Sequence, residues 1–278
     1  MMLLKIKQSI ILLESAISGN NFSLEISDFR VDSGESVGIM GRSGAGKTTF
    51  ARFLTGLIKP ETGSVELGKD NLTVGMTFQF PENQFYLGTI YEDIIVGLIE
   101  KGVKEGIARK LTNSALERVN LSPAQYADKN HQRLSVGEER RAAIATLLCN
   151  DYDIFIFDEP SAGLDGKEIR NLISIFHNLK QDGKTVLIIS QNSDFIAETC
   201  ERLVVLDDGK IEYDGSLSKF FFNEELPNSF DLEIPPVIQT QMYLNRNHDF
   251  NFQEVINVKD LKIILDNSMK IKAVSRLT

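Results

Sequence analysis

Three parts of this sequence carry residues that can act on an anionic ligand: a glycine-rich stretch at 41–48, two acids at 158–159, and a glutamine at 191. The stretch reads GRSGAGKT, which has the form G-x-x-x-x-G-K-[ST], and it follows the apolar segment SVGIM. Glycines let backbone N–H groups turn toward phosphate oxygens, and a helix that begins after them adds partial positive charge. The pattern predicts a binding site for a nucleoside triphosphate.

Each side chain of this predicted phosphate site has its own expected role. We expect Lys47 to reach the β- and γ-phosphates, Thr48 to bind Mg²⁺ through its hydroxyl, and Thr49 to donate a further hydrogen bond to phosphate. The residues expected to form the backbone cradle are Gly41, Ser43, Gly44, Ala45 and Gly46.

The two acids end an apolar segment, DIFIFDEP, residues 153–160. A carboxylate at the end of a buried strand is costly unless it meets a cation. We therefore predict that Asp158 holds Mg²⁺ and its water shell, and that Glu159 polarises an attacking water. For either acid taken alone, a solvated loop residue is the simpler alternative.

Two further stretches are less specific by themselves. In LSVGEERRAAIATLL, residues 134–148, Ser135 is a good helix N-cap, and the free N–H groups of Val136 and Gly137 can face an anion. Taken alone, an ordinary capped helix explains this stretch. In VLIISQN, residues 186–192, a buried strand delivers Gln191 to the sheet edge where open α/β sheets bind ligands.

The elements that must position these residues follow from the hydrophobic pattern. From residue 37, the apolar segments SVGIM, VGMTF, DIFIF, TVLIIS and RLVVL alternate with helical patterns, including 166–181 and most of 90–150. This alternation predicts an α/β fold with a mainly parallel core sheet that is covered on both faces.

Other segments complete the predicted organisation. Short alternating segments in residues 1–36 indicate an N-terminal antiparallel β layer, and DDGKIEYDG indicates a hairpin. We predict a main domain over 1–215, with a helical subdomain at about 85–150, and a small C-terminal domain over 216–278.

Composition limits the possible functions. The chain has 278 residues and a net charge of −9, which argues against a general nucleic-acid-binding surface. The two cysteines form no CxxC pair and the three histidines are scattered, so we expect reduced thiols rather than a disulfide or zinc site. No apolar run approaches the roughly 18–20 residues that span a bilayer, so work at a membrane would require a partner.

Together, the motifs resemble those of the ATP-binding-cassette (ABC) ATPases over about residues 3–215. Walker A is GRSGAGKT, the Q-loop glutamine is Gln79 in TFQFPENQ, the signature is LSVGE, Walker B is IFIFDE, and the D-loop is SAGLD with Asp165. The resemblance implies a P-loop NTPase fold that binds ATP and Mg²⁺, with Gln79 as a further metal ligand and catalytic contact.

The stretch FQFPENQFYLGTIYEDIIVG, residues 78–97, is similar to the Q-loop region of the energy-coupling-factor (ECF) importer ATPases, and the tail FDLEIPPVIQTQMYLNRN resembles their C-terminal region. This implies an ATPase subunit on the cytoplasmic face of the membrane that drives solute import. A membrane scaffold protein would insert a helix into a groove after Gln79, and substitution of Phe80, Phe85 or Tyr86 would abolish that association. The alternatives are an ATPase of another ABC importer and a soluble ABC module outside transport.

The ABC resemblance also implies a dimer. Two ATPase subunits, identical or paralogous, would close head to tail around two ATP molecules, and Ser135 and Gly137 would then contact the γ-phosphate bound by the partner. The C-terminal segment would be a possible dimer contact, with plain stabilising packing as the alternative.

Three positions depart from the ABC pattern. Gln191 occupies the position of the switch histidine, Val136 replaces a glycine of the signature, and Phe22 is the nearest candidate for the aromatic that stacks on adenine. Glutamine can donate an N–H but cannot become a cation. We therefore hypothesise that this Walker site binds ATP well but hydrolyses it slowly, and that the subunit works best beside a non-identical ATPase.

Overall fold

The computed structural model describes residues 1–14, 21–77, 85–247 and 252–275. Its strands are β1 (Met2–Glu14), β2 (Asn21–Asp32), β3 (Ser36–Met40), β4 (Thr62–Leu67), β5 (Val74–Thr77), β6 (Ile154–Asp158), β7 (Thr185–Ile189), β8 (Arg202–Asp207) and β9 (Lys210–Ser216). Its helices are α1 (Lys47–Leu54), α2 (Ile90–Glu100), α3 (Glu105–Arg118), α4 (Pro123–Tyr126), α5 (Val136–Leu148), α6 (Gly166–Gln181), α7 (Ser193–Thr199), α8 (Leu217–Phe221), α9 (Glu225–Ser229), α10 (Pro236–Asn247) and α11 (Val258–Ser275).

The described strands form one sheet in the order β4-β1-β2-β9-β8-β3-β7-β6-β5. The pairs from β8 through β3, β7 and β6 to β5 are all parallel. Every residue of β3, β6 and β7 is buried, as expected for parallel strands covered on both faces. The predicted α/β fold with a mainly parallel core is confirmed, and the C-terminal ends of these strands meet at one edge.

The N-terminal strands are antiparallel, as predicted, but they extend the core sheet rather than forming a layer of their own. Strand β1 pairs with β2 and β4, and β2 joins β9 through the parallel bridge Glu25↔Lys210. Residues 2–14 form one long strand, with a left-handed Gln8 (φ 44°) where the register with β4 shifts. Strand β4 was not predicted, because all six of its residues are exposed and its sequence carries little apolar pattern.

Between β5 and β6, helices α2 to α5 form the predicted helical region, and α6 spans the predicted range 166–181. The helix predicted to follow the glycine-rich turn, α1, ends at Leu54, because the left-handed Gly56 (φ 77°) stops it. Within the described residues, no helix combines the length and hydrophobicity needed to cross a bilayer.

The C-terminal segment is helical and packs on the core. Phe220 and Phe221 of α8 and Ile238 of α10 are fully buried, in the same hydrophobic cluster as one face of the sheet. Gln241 is buried with its amide satisfied, since its Nε2 donates to the Gln253 carbonyl (2.6 Å) and its Oε1 accepts from the Val255 N–H (3.1 Å). A separate domain over 216–278 stays a prediction.

Candidate nucleotide-binding site

The turn between β3 and α1 has the backbone shape of a phosphate cradle. Gly41 and Gly46 are left-handed, with φ of 142° and 99°. A Cβ at Gly41 would lie 2.0 Å from the Leu206 carbonyl oxygen, so only glycine fits there. Gly46 is the N-cap of α1 and provides no side-chain cap, which leaves the first N–H groups of this described helix available to an anion.

The remaining predicted cradle residues lie where the motif requires them. Ser43 and Gly44 are exposed at the tip of the turn, whereas Ala45 is buried and donates its N–H to the Arg42 carbonyl at 3.2 Å. Thr49 is half-buried in the first turn of α1. The loop therefore exposes its polar tip and anchors its base.

Lys47 folds back over this loop. Its side chain is buried, and Nζ donates to the carbonyls of Gly41 (2.7 Å) and Arg42 (2.8 Å). Burial lowers the pKa of the Lys47 ammonium, and the nearby carboxylates of Glu159 and Asp158 oppose that shift. A buried cation whose hydrogen bonds go to loop carbonyls is well suited to an anionic ligand.

Thr48 and Asp158 bring two elements together. The Thr48 hydroxyl, on α1, donates to Oδ2 of Asp158, at the end of β6, at 2.9 Å. Asp158 is 2% exposed, and burial raises the pKa of its carboxyl, opposed by Thr48 and Lys47. A hydroxyl and a carboxylate are the hard oxygen donors that Mg²⁺ prefers, so this pair fits the ion. The predicted third contact, Gln79, lies outside the described residues.

Glu159 is held in a costly backbone conformation. Its φ is +48°, which is uncommon for a residue other than glycine and concentrates at functional sites. Its N–H donates to the Ile189 carbonyl (2.8 Å), and its own carbonyl accepts from Arg140 Nη1. The end of β7 holds the side chain, since Ser190 Oγ donates to Oε2 (3.3 Å) and the Gln191 N–H donates to Oε1 (3.1 Å).

These contacts set the electrostatics of the carboxylate. Burial raises the pKa of Glu159, the hydrogen bond from Ser190 opposes the shift, and the charge of Asp158 adds to it. A carboxylate with a raised pKa is a better proton acceptor, as a general base requires. Ser190, which is fully buried, was missed by the sequence reasoning, although the serine that closes the apolar segment TVLIIS is a signal that could have found it.

Gln191 is exposed at the same sheet edge. It borders an open polar groove of about 910 Å³ whose opposite wall is formed by residues of the C-terminal segment, among them Asp231 and Glu233. The structure therefore brings Gln191 together with Glu159, and it places the C-terminal segment beside Gln191.

The signature residues lie on another element. Ser135 caps α5 through a capping box, in which Glu138 N–H donates to Ser135 Oγ (3.3 Å) and Ser135 N–H donates to Glu138 Oε2 (2.8 Å). At Gly137 a Cβ would lie 2.8 Å from Glu168, so a larger residue would displace that side chain. Val136 is 55% exposed at the first position of the helix. Asp165 caps the next helix, α6, by accepting from the N–H groups of Lys167 and Glu168.

Comparisons with known proteins decide the family. The sequence profile of the ABC transporter family matches residues 24–162. An energy-coupling factor transporter ATP-binding protein of Leuconostoc mesenteroides is 37% identical over 210 residues, which cover 70% of this chain and 73% of that protein. This chain belongs to the ABC transporter ATP-binding family. Such ATPases bind ATP, generally use Mg²⁺ and generally hydrolyse the nucleotide.

Solved structures of ABC cassettes share the fold. A dimeric ATP-binding cassette in a post-hydrolysis state with ADP and phosphate matches with a TM-score of 0.68 and 27% identity, over 77% of this chain and 98% of that one. The cbiO1 protein of Clostridium perfringens, described as part of the ABC transporter complex cbiONQ, matches with a TM-score of 0.71 over 87% of this chain and 99% of its own. At 24% identity, that second likeness shows the fold alone.

The predicted aromatic neighbour of the ABC adenine site, Phe22, lies beside the cradle. A Cβ at Gly46 would lie 2.8 Å from Phe22 Cζ, so the ring packs directly on the loop. Phe22 is half-buried and leaves part of its surface for another flat group.

The residues predicted to dock on the membrane scaffold, Phe80, Phe85 and Tyr86, differ in their exposure. Phe85 is buried and stacks on His131 with ring centroids 6.0 Å apart, so it belongs to the core of the helical region. Tyr86 is 85% exposed, and Phe80 lies outside the described residues. Substituting Phe85 would therefore disturb folding, whereas Tyr86 is accessible to a partner.

Proposed function

We propose that this chain is the ATP-binding subunit of an ECF-type importer, which binds ATP at the sheet edge and couples binding and hydrolysis to solute uptake. The observation that carries the proposal is the convergence of Lys47 and Thr48, on α1, with Asp158 and Glu159, at the end of β6. The 37% identity to an ECF transporter ATP-binding protein supports the choice of transporter. In this proposal the chain sits peripherally on the cytoplasmic face of the membrane.

The chemistry follows from the side chains. Lys47 and the α1 N–H groups bind the phosphates, Phe22 packs on the adenine, and Thr48 with Asp158 would hold Mg²⁺. When bound, the metal neutralises charge on the phosphate oxygens. The Glu159 carboxylate accepts a proton from the attacking water, with its two oxygens oriented by Ser190 and the Gln191 N–H.

In this proposal, Gln191 limits the rate of ATP hydrolysis. A side-chain amide donates to the γ-phosphate as a neutral group, whereas a protonated histidine would add a positive charge. Losing a donor aimed at transition-state charge costs about 10²–10³ in rate, and Gln191 keeps a donor, so the proposed deficit is smaller. We infer a site that binds ATP firmly and turns over slowly.

The proposed partner in the ATPase unit is a second cassette. Ser135 and Gly137 start α5, an element separate from the one that carries Lys47, so they are free to serve the nucleotide of another subunit. The dimeric arrangement of the cassette that matches at 27% identity supports this choice. The second subunit is the same chain or a paralogue with its own histidine.

A groove of about 320 Å³ in the helical region is the proposed seat for the scaffold helix. It is lined by Met76, Tyr86, Asp93, Gly97, Lys101 and Tyr152, among others. Asp93 Oδ1 accepts from the N–H groups of Tyr86 (2.9 Å) and Leu87 (3.0 Å), whereas its buried Oδ2 has no hydrogen-bond partner among the described residues. A lone carboxylate oxygen at a groove with an exposed tyrosine suits a helix with one cationic and several apolar side chains.

Two measurements test the proposal. Calorimetric titration should show Mg-ATP binding to the purified chain, and co-expression with a candidate membrane scaffold should bring the chain into the membrane fraction. Tyr86→Ala should remove that association while leaving ATP binding intact, with Tyr243→Ala as the matched exposed control. A chain that binds ATP but stays soluble with every importer scaffold tested would contradict the transport role.

A further inference from the structure

Two adjacent arginines on α5 are almost fully buried. Arg140 is 8% exposed and Arg141 is 6% exposed. A buried guanidinium is costly unless its donors are used. Arg140 Nη1 donates to the backbone carbonyl of Glu159, whereas Arg141 Nη1 pairs with Oε2 of Glu168 on α6. The two side chains therefore fasten the same helix to two different elements.

The Arg140 contact reaches the proposed catalytic residue through its backbone. Glu159 has φ +48°, and its N–H is held by the Ile189 carbonyl. Its peptide groups are thus fixed by β7 on one side and, at the carbonyl, by Arg140 Nη1 and the Ala162 N–H (3.2 Å) on the other. Removal of the charged Arg140 donor would leave the carbonyl with the weaker contact from the Ala162 N–H. Since the direction of the carboxylate depends on this backbone, its placement against Ser190 and the Gln191 N–H would loosen.

Arg140 itself lies on α5, the helix that begins at the signature residues and is called the signature helix below. Arg140 lies on the second turn of α5, and Ser135 and Gly137 lie at its start. An α-helix moves as a rigid unit over such a short distance, with a rise of about 1.5 Å per residue. A displacement of the helix start relative to β6 must therefore move the Arg140 guanidinium against the Glu159 carbonyl.

We propose that Arg140 is a positioning residue that holds Glu159 in its hydrolytic orientation and links it to the signature helix. The inference rests on the proposed function, in which Glu159 acts on the nucleotide of this subunit and Ser135 contacts that of the partner. Arg140 then transmits the state of one ATP site to the other. Arg141 has no such role, because Glu168, its partner, packs against Gly137 and fastens α5 to α6.

The first test compares steady-state ATP hydrolysis by Arg140→Met, Arg140→Lys and Arg141→Met. Arg140→Met should lower kcat by about 10–100-fold with little change in KM, because small misplacements of reacting groups cost up to about 10² in rate. Arg140→Lys keeps a cationic donor and should recover part of kcat. Arg141→Met loses a buried pair on the same helix and should lower Tm while largely keeping kcat. Equal losses of kcat in the two Met variants, or no loss in Arg140→Met, would overturn the proposal.

The second test does not depend on turnover. In hydrogen exchange of the wild type, at a concentration at which size-exclusion chromatography detects monomer alone, Mg-ATP should protect amides 41–49 and also change the exchange of amides 136–140. In Arg140→Met the protection of 41–49 should persist and the change at 136–140 should disappear, whereas Arg140→Lys should retain both. An unchanged response at 136–140 in Arg140→Met would contradict the link. Absence of protection at 41–49 in the wild type would contradict ATP binding itself, and the inference with it.

Discussion

The sheet edge around Lys47 and the start of α5 are built differently. At the sheet edge, side chains from α1, β6 and the end of β7 meet, and they contact one another across the chain: Thr48 with Asp158, and Glu159 with Ser190. At the start of α5, the capping box of Ser135 and Glu138 is closed within a single turn. The first region gathers a cation, two carboxylates and a hydroxyl at one place, whereas the second offers a helix start. This difference is what the proposed dimer, in which each site is shared between two subunits, requires.

The largest expected effect is at the sheet edge. Lys47→Ala should raise the Kd for Mg-ATP by about 10–100-fold, because hydrogen bonds to charged groups contribute about 1.5–3 kcal/mol. Calorimetric titration measures the Kd, and Lys59→Ala, an exposed lysine just beyond the same helix, is the control. An unchanged Kd for Mg-ATP in Lys47→Ala would show that the nucleotide does not bind at the loop that carries Lys47.

A gain of function is expected at Gln191. Gln191→His should raise kcat by about tenfold, because the protonated ring adds a cation to the donor that glutamine already provides. The affinity for ATP should stay close to that of the wild type. Turnover that is unchanged or slower in Gln191→His would remove the hypothesis that this residue limits hydrolysis.

The start of α5 should respond in stability rather than in binding. Ser135→Ala removes the cap and should lower the free energy of unfolding by about 1 kcal/mol. The Kd of the isolated subunit for Mg-ATP should not change, since Ser135 is proposed to serve the partner. A higher Kd of the isolated Ser135→Ala subunit for Mg-ATP would show that Ser135 serves the nucleotide of its own subunit, which contradicts the proposed difference between the two regions.

The smallest expected effect is a pH-dependent change in Tm when Asp158 is replaced. Burial raises the pKa of Asp158 in the folded chain, so the ionised carboxylate costs stability at neutral pH, and this cost fades as falling pH protonates it. Asp158→Asn should therefore raise the Tm of the nucleotide-free protein, by about 2–4 °C per kcal/mol relieved. Thermal unfolding at about pH 8 and about pH 5 should show a larger gain at the higher value. A lower Tm in Asp158→Asn would show that the carboxylate stabilises the empty site.

The cradle and the acids could be predicted because their information is local. A glycine turn between a strand and a helix, and two acids at the end of an apolar strand, define their own geometry. Strand β4 could not be predicted from the sequence, because all six of its residues are exposed at the edge of the sheet and its pairing with β1 defines it. The burial of Phe85 also escaped prediction, because the fold places it against His131, 46 positions along the chain.

The contacts made by Ser190 and Arg140 could not be predicted either, because they also join residues that are far apart in the sequence. Each contacts Glu159 across the fold, from the end of β7 and from α5, and no spacing in the sequence joins them. A serine directly after an apolar strand and two adjacent arginines in a helical segment are visible in the sequence. Their partners are not, because they depend on how α5 packs against β6.

The most direct measurement is the steady-state ATPase rate of the purified chain at saturating Mg-ATP, with Glu159→Gln as the background. We expect a low rate that clearly exceeds this background, together with ATP binding that Glu159→Gln preserves. Loss of a general base typically costs about 10²–10⁴ in rate, so the two proteins should differ even if the wild type is slow. A rate that is identical in the two proteins would contradict the assignment of Glu159 as the base of a hydrolytic site in this chain.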